Sequence, residues 1–198
     1  MGVAVFGYGS LVDPRSAAAT LGRPVGEVWP ARLSGWRRRF STVRDNLTSE
    51  KAFARVSDGW LPPIVLALNL ERDTSITADP PNGALVEVEP AELDRLDRRE
   101  LRYDRIDVTD QVRAASDIGQ KRTAQVFAYV AKAEQLAVHP PPGAVVLASY
   151  VAAVEAAFES LGRRELAIYR RTTGSPPVEV IDARLVRGEV PDGNPRAW

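Results

Sequence analysis

Two stretches of this chain combine residue types that could do chemistry. The first, "VAVFGYGSL" at residues 3 to 11, runs apolar residues into a glycine-rich turn. Gly7 and Gly9 would permit positive φ and close backbone approach, and the N–H groups of Gly9, Ser10 and Leu11 could then converge on a carboxylate or an oxyanion. A plain tight corner capped by Ser10 accounts for the same residues equally well. In the second, "LDRLDRRELRYDRIDV" at residues 93 to 108, a helical pattern hands over to a strand pattern at Glu100. A helix ending there would set the negative end of its dipole against that carboxylate and disfavour its ionised form, as burial also would. Arg98, Arg99, Arg102 and Arg105 act in the opposite sense wherever their heads come close, and a lone glutamate among charges is ordinarily a solvated surface residue.

Composition narrows the chemistry. The 198 residues hold no cysteine and one histidine, which excludes disulfides, thiolate metal sites and cysteine nucleophiles and denies His139 a multi-histidine metal site. The surrounding "VHPPPG" reads as an exposed loop. The 26 basic residues balance the 26 acidic ones, so no general attraction to nucleic acid or to an anionic membrane is written into the totals; a small polar substrate is the expected partner. Gly7 and Gly9 match the first two glycines of a dinucleotide fingerprint, but Val12 stands at the third position and no βαβ unit follows. With neither a leader-like N-terminus nor a run of about 18 apolar residues, the expected setting is cytoplasmic. Nothing in the sequence sets the oligomeric state.

The elements that must position these stretches follow from periodicity. Asp13 and Pro14 read as the N-cap and first residue of a short helix stopped at Gly22. Strands are expected at residues 31 to 41, whose arginine heads would face water, at 62 to 71, at 83 to 89, from Tyr103 through Ile106, Val108 and Val112, and at 123 to 131. A polar loop fills residues 73 to 82, and Pro90 opens a short helix with Leu93 and Leu96 on one face. The longest helix is expected over residues 146 to 161, a second near 163 to 171, and a last strand around 178 to 186. Strands that succeed one another without long helices between them argue for an α+β fold, with a mixed, mostly antiparallel, barrel-like sheet flanked by helices. One domain is expected over residues 1–198, with 172–198 as a C-terminal strand and a tail that Trp198 could pin.

"FGYGSL" taken together with "NGALVEVEPAELDRLDRRELRYDRIDV" resembles the gamma-glutamylcyclotransferase family, whose members carry a Y-G-S-L-type loop and, about ninety residues later, a leucine-aspartate, glutamate, tyrosine pattern. The resemblance covers most of residues 3 to 131. It implies that family's fold and the release of 5-oxoproline from a gamma-glutamyl amine or gamma-glutamyl amino acid, the substrate's α-amine attacking its own γ-amide carbonyl. No metal, cofactor or thiol is implied. By matching position Glu100 would serve as base and then acid, and Tyr8, Gly9, Ser10 and Leu11 would cradle the gamma-glutamyl group. Tyr103 occupies the aromatic position soon after the glutamate; Tyr129 and Tyr150 could line the same pocket, and core packing is open to all three. Leu101 departs from the pattern, since the family often has glycine there. That departure raises a non-catalytic binding module with the same pocket as the alternative.

Overall fold

The computed structural model describes residues 2–73, 75, 79–116 and 123–189. The apolar opening run forms β1 (Gly2–Gly7), and it needs apolar residues in succession because both of its faces are covered: Ala4 and Phe6 enter one core and Val5 another. β1 lies inside a six-stranded sheet, antiparallel to β6 (Asn82–Val88) and parallel to β9 (Thr123–Ala131). β2 (Trp29–Leu33) and β8 (Val112–Ala114) extend the sheet beyond β6, and β7 (Tyr103–Asp107) forms the edge beyond β9. A second sheet holds β3 (Trp36–Asp45), β5 (Ile64–Arg72), β10 (Ala144–Leu147) and β11 (Val180–Ile181), while β4 (Lys51–Arg55) and β12 (Ala183–Gly188) pair as a ribbon. Side chains of the two larger sheets meet in the main core, where Leu66, Leu68 and Leu70 join Phe6, Ala84 and Leu85. Asn69 of β5 reaches across, its Oδ1 accepting from the Ala131 N–H of β9 at 2.8 Å.

Among the described residues four α-helices complete this mixed α+β, barrel-like fold. α1 (Pro14–Leu21) starts where the Asp13 side chain accepts from Arg15 N–H at 2.9 Å and ends at Gly22, in the left-handed region at φ 72°. α2 (Leu93–Arg99) lays Leu93 and Leu96 with Ala17 and Leu21 of α1 over Val5, Val86 and Val88, forming the second core. α3 (Ala148–Leu161) and α4 (Arg163–Thr172) close the main core with Val154, Phe158 and Tyr169, whose last two rings stack 4.5 Å apart.

Several elements depart from the sequence expectation, each for a local reason. The strand expected at residues 31 to 41 breaks at Ser34 and Gly35, the latter at φ 80°, and its halves β2 and β3 join different sheets. Arg38, expected to face water, is fully buried. Its guanidinium donates to the carbonyls of Asn82 at 2.6 Å and Tyr8 at 3.2 Å, to Asn82 Oδ1 and to the hydroxyls of Thr172 and Thr173, and lies 4.5 Å over the Tyr169 ring. Burial lowers its pKa to about 10, which leaves it cationic at neutral pH. The strand expected from Tyr103 to Val112 splits because Asp107 accepts from both the N–H and the hydroxyl of Thr109, turning the chain so that β7 and β8 reach opposite edges of one sheet. The long helix begins at Ala148 rather than residue 146, since Ala144 to Leu147 form β10; a short apolar run does not by itself distinguish a buried strand from a helix. The last strand breaks at Asp182 into β11 and β12. Residues 74 and 76–78 of the expected polar loop, and the expected tail with Trp198, lie outside the described residues. His139 is exposed, and among the described residues no helix is long and apolar enough to cross a membrane.

Glu165 ties α4 to the sheets: it accepts from Arg32 at 2.8 Å and from Asn82 Nδ2 at 2.8 Å. Burial pushes its carboxyl up, but the hydrogen bonds from Arg32 and Asn82 and the Arg32 charge outweigh burial and hold it below its ordinary value. A carboxylate depressed in the folded state stabilises the fold above the unfolded-state value of about 4.3, and that contribution is lost as pH falls through the folded value. Thermal unfolding followed from pH 7 to pH 3 should therefore show a steeper fall in Tm below about pH 4.3 for the parent than for Glu165→Gln.

Candidate active site

β1 delivers Tyr8 and Gly9 to a single 3-10 turn, Ser10–Val12, that stands in front of α1. The turn's first bond runs from Val12 N–H to Gly9 O at 3.0 Å, so the amides of Gly9, Ser10 and Leu11 precede it. Contrary to expectation, neither Gly7 nor Gly9 has positive φ. Close approach requires glycine at Gly7, where a Cβ would fall 2.9 Å from the Leu11 carbonyl carbon; at Gly9 a Cβ would come within 3.2 Å of the Tyr150 hydroxyl, a tight contact that a small shift of that side chain could relieve.

Glu100 arrives from the end of α2, as its spacing implied. Its N–H bonds to Leu96 O at 2.8 Å, and Tyr103 N–H returns to Glu100 O at 2.8 Å, forming the corner into β7. The side chain turns inward and is only 11% exposed, so it is no solvated surface glutamate. Arg99 holds it there. Its Nε lies 3.0 Å from Glu100 Oε1, while Nη2 donates to Ser10 Oγ at 3.1 Å and Ser16 Oγ at 2.8 Å. Nη1 donates to Ser16 O at 2.8 Å and to Thr20 Oγ1. One buried guanidinium thus joins the glutamate, the turn and α1. The sequence reading treated Arg99 as one of four opposing charges; the available signal was spacing, because Arg99 continues the three-residue step of Leu93 and Leu96 onto the covered face of α2.

Every residue expected at the site meets at one chamber of about 40 Å³: Tyr8, Gly9, Ser10, Leu11, Glu100, Tyr103, Tyr129 and Tyr150 all line it. Their hydroxyls are disposed differently. Tyr8 donates to Tyr129 O at 2.6 Å, Tyr103 to Leu68 O at 2.9 Å and Tyr129 to Asp97 Oδ1 at 2.7 Å. Tyr150 accepts from Leu68 N–H at 3.4 Å, and its own proton meets no acceptor among the described residues. Burial pushes the phenols of Tyr8, Tyr129 and Tyr150 above their ordinary value, with the Asp97 carboxylate adding to the effect at Tyr129, so all three stay protonated near neutrality.

Ser10, Glu100, Tyr103 and Tyr150 also line an adjoining cavity of about 480 Å³, which the sequence reading did not foresee. Its other walls include Thr42, Arg44, Phe53, Leu101 and Arg102. Arg102 forks onto Glu50 at 2.9 and 2.5 Å. Burial pushes Glu50 up, yet the Arg102 hydrogen bond and charge hold its carboxyl below the ordinary value. Leu101 is 42% exposed and, like every described non-glycine residue, avoids positive φ. Among the described residues no group of three or more histidine and acidic side chains could hold a metal ion.

No family model matches the chain, and no curated protein does. Solved structures do. One described as gamma-glutamyl cyclotransferase superposes with a TM-score of 0.55 at 12% identity, covering 91% of this chain and 94% of its own. YkqA from Bacillus subtilis superposes at 0.54 with 17% identity over 89% of this chain, which spans 55% of the YkqA chain. The chain therefore has a gamma-glutamyl cyclotransferase-like fold.

Arg99→Met takes away the cation 3.0 Å from Glu100 and the donor to Ser10, so it should lower stability by about 3 to 5 kcal/mol in urea unfolding. Gly7→Ala, which drives a Cβ into backbone, should cost about 1 to 3 kcal/mol in the same assay.

Proposed function

We propose that this chain is a cofactor-free cyclotransferase that releases 5-oxoproline from a gamma-glutamyl amide. One observation carries the reading: the inward-facing Glu100 carboxylate borders both the chamber at the Tyr8–Leu11 turn and the larger adjoining cavity. A substrate lying across that boundary has its gamma-glutamyl end at the turn, its α-amine at Glu100 and its departing group in the larger space.

The chemistry asks little beyond this. At neutral pH the α-amine is protonated, so Glu100 first removes a proton; the freed nitrogen then attacks the γ-carbonyl carbon and closes a five-membered ring. As the bond to the departing nitrogen breaks, Glu100 delivers that proton to it; the carboxylate so regenerated takes the second proton from the ring nitrogen and passes it to the freed amine, and 5-oxoproline and an ammonium leave. The turn amides and the Tyr150 hydroxyl are fixed donors available to the oxygen that becomes negative in between. Folding the substrate so that amine and carbonyl meet supplies much of the acceleration, because an intramolecular attack gains chiefly from orientation.

Leu101 favours a second reading, in which the pocket binds a gamma-glutamyl compound without turning it over. Its backbone is unstrained and its side chain only borders the larger cavity, which weighs for catalysis. A mass-spectrometric screen of gamma-glutamyl amides for 5-oxoproline separates the two. Glu100→Gln, folded by circular dichroism, should lower the rate by about two to four orders of magnitude; parental speed in that variant would remove Glu100 from the mechanism, and saturable binding with no product from the parent would favour the binding module.

A further inference from the structure

We infer that the Arg102–Glu50 ion pair is a positioning clasp, which holds the corner carrying Glu100 against the β4–β12 ribbon and so fixes the base relative to the far wall of the larger cavity; the inference rests on the cyclotransferase reading. Arg102 lies inside the corner that runs from Glu100 to Tyr103 and lines the larger cavity. The corner is closed by one bond, from Tyr103 N–H to Glu100 O at 2.8 Å, and Arg102 O accepts from Lys132 N–H at 3.0 Å just beyond β9. A turn closed by a single such bond is soft unless something outside it takes hold. Arg102 supplies that hold, its two terminal nitrogens donating to separate oxygens of Glu50 at 2.9 and 2.5 Å.

The other end of the clasp is anchored in turn. Glu50 directly precedes β4, its carbonyl accepts from Glu189 N–H at 2.8 Å just past β12, and Ser49 O accepts from Arg187 of β12 at 3.0 Å. Asn46 clips β4 at Phe53, accepting from its N–H at 2.9 Å and donating to its carbonyl at 2.8 Å, and Phe53 is a wall of the larger cavity. Among the described residues β4 and β12 pair with each other and with no further strand. No sheet ladder therefore sets the ribbon against the corner, and side-chain bonds must do it. Exposed ion pairs contribute little, but here the side chains of Arg102 and Glu50 are only 21% and 12% exposed and meet in the two-bond geometry that fixes direction as well as distance. The base is thus held from two sides: Arg99 aims its carboxylate, and Arg102 places the backbone that bears it.

The test uses the full chain, with gamma-glutamyl-alanine as the probe. Glu50→Gln, which keeps shape and loses charge, should lower kcat and kcat/KM together by about 10- to 100-fold, the cost of displacing a catalytic group by about 1 Å. Arg102→Met should do the same, and Arg102→Lys, which keeps the charge without the fork, should recover part of the loss. The double variant should be no slower than the slower single one, because one shared contact is lost only once. Hydrogen exchange gives a readout without turnover: in Glu50→Gln the Tyr103 N–H that closes the corner should exchange about 10- to 100-fold faster than in the parent. Parental kcat or parental Tyr103 exchange in Glu50→Gln, or losses that multiply in the double variant, would overturn the clasp and leave the reaction standing. A parent that gives no 5-oxoproline would overturn the reaction for this probe; the clasp then stands if Tyr103 exchange quickens in Glu50→Gln and falls if it does not.

Discussion

The Arg99 guanidinium is out of water, and an arginine in that position keeps its charge only where its fork meets enough oxygens to replace its hydration. Here it meets Ser10, Ser16, Thr20 and Glu100. Those partners come from the turn after β1, from α1 and from the end of α2. The requirement of one cation therefore fixes the mutual placement of three segments, two of them separated by about eighty residues of chain. On the proposed reading, proton transfer at Glu100 would use a carboxylate whose direction Arg99 already sets, the condition under which acid–base catalysis gains from geometry.

A second buried guanidinium holds the same turn from the other side. Arg38 donates to Tyr8 O and, through Asn82, to the network in which Glu165 anchors α4. The two arginines are solvated by opposite means. Arg99 has a carboxylate beside it, whereas Arg38 rests on carbonyls, hydroxyls and the faces of Phe158 and Tyr169. Through these contacts α4, which supplies no residue to the chamber, still bears on the carbonyl of the residue that opens the turn, while α3 reaches the chamber directly through Tyr150.

Much of this was legible in the residues. The glycine turn and the helix-to-strand handover at Glu100 carried local signals, whereas their meeting with the tyrosines at one chamber was implied by the family resemblance and not by period or spacing. What escaped reading shares a different character. Whether an arginine in "WRRRF" or "DRREL" is solvated or buried depends on which partners the fold brings to it, so Arg38 and Arg99 looked like their neighbours. The breaks at Gly35, Asp107 and Asp182 each interrupt an apolar run whose alternation alone reads as continuous. The ribbon of β4 and β12 carried no expectation for β4, since Lys51 to Arg55 are too few and too polar at their ends to stand out.

The parallel contact between β1 and β9 in an otherwise mostly antiparallel arrangement has a temporal side. Tyr8 and the carbonyl it bonds on β9 are 121 positions apart, so a nascent polypeptide emerging from the ribosome holds β1 long before its neighbour exists. Until then one edge of a wholly apolar strand lacks its hydrogen-bonding partner, a state that invites wrong pairings and slows assembly. The bond that ties the glycine-rich corner to β9, from the Tyr8 hydroxyl to the Tyr129 carbonyl, can form only once that strand has been made.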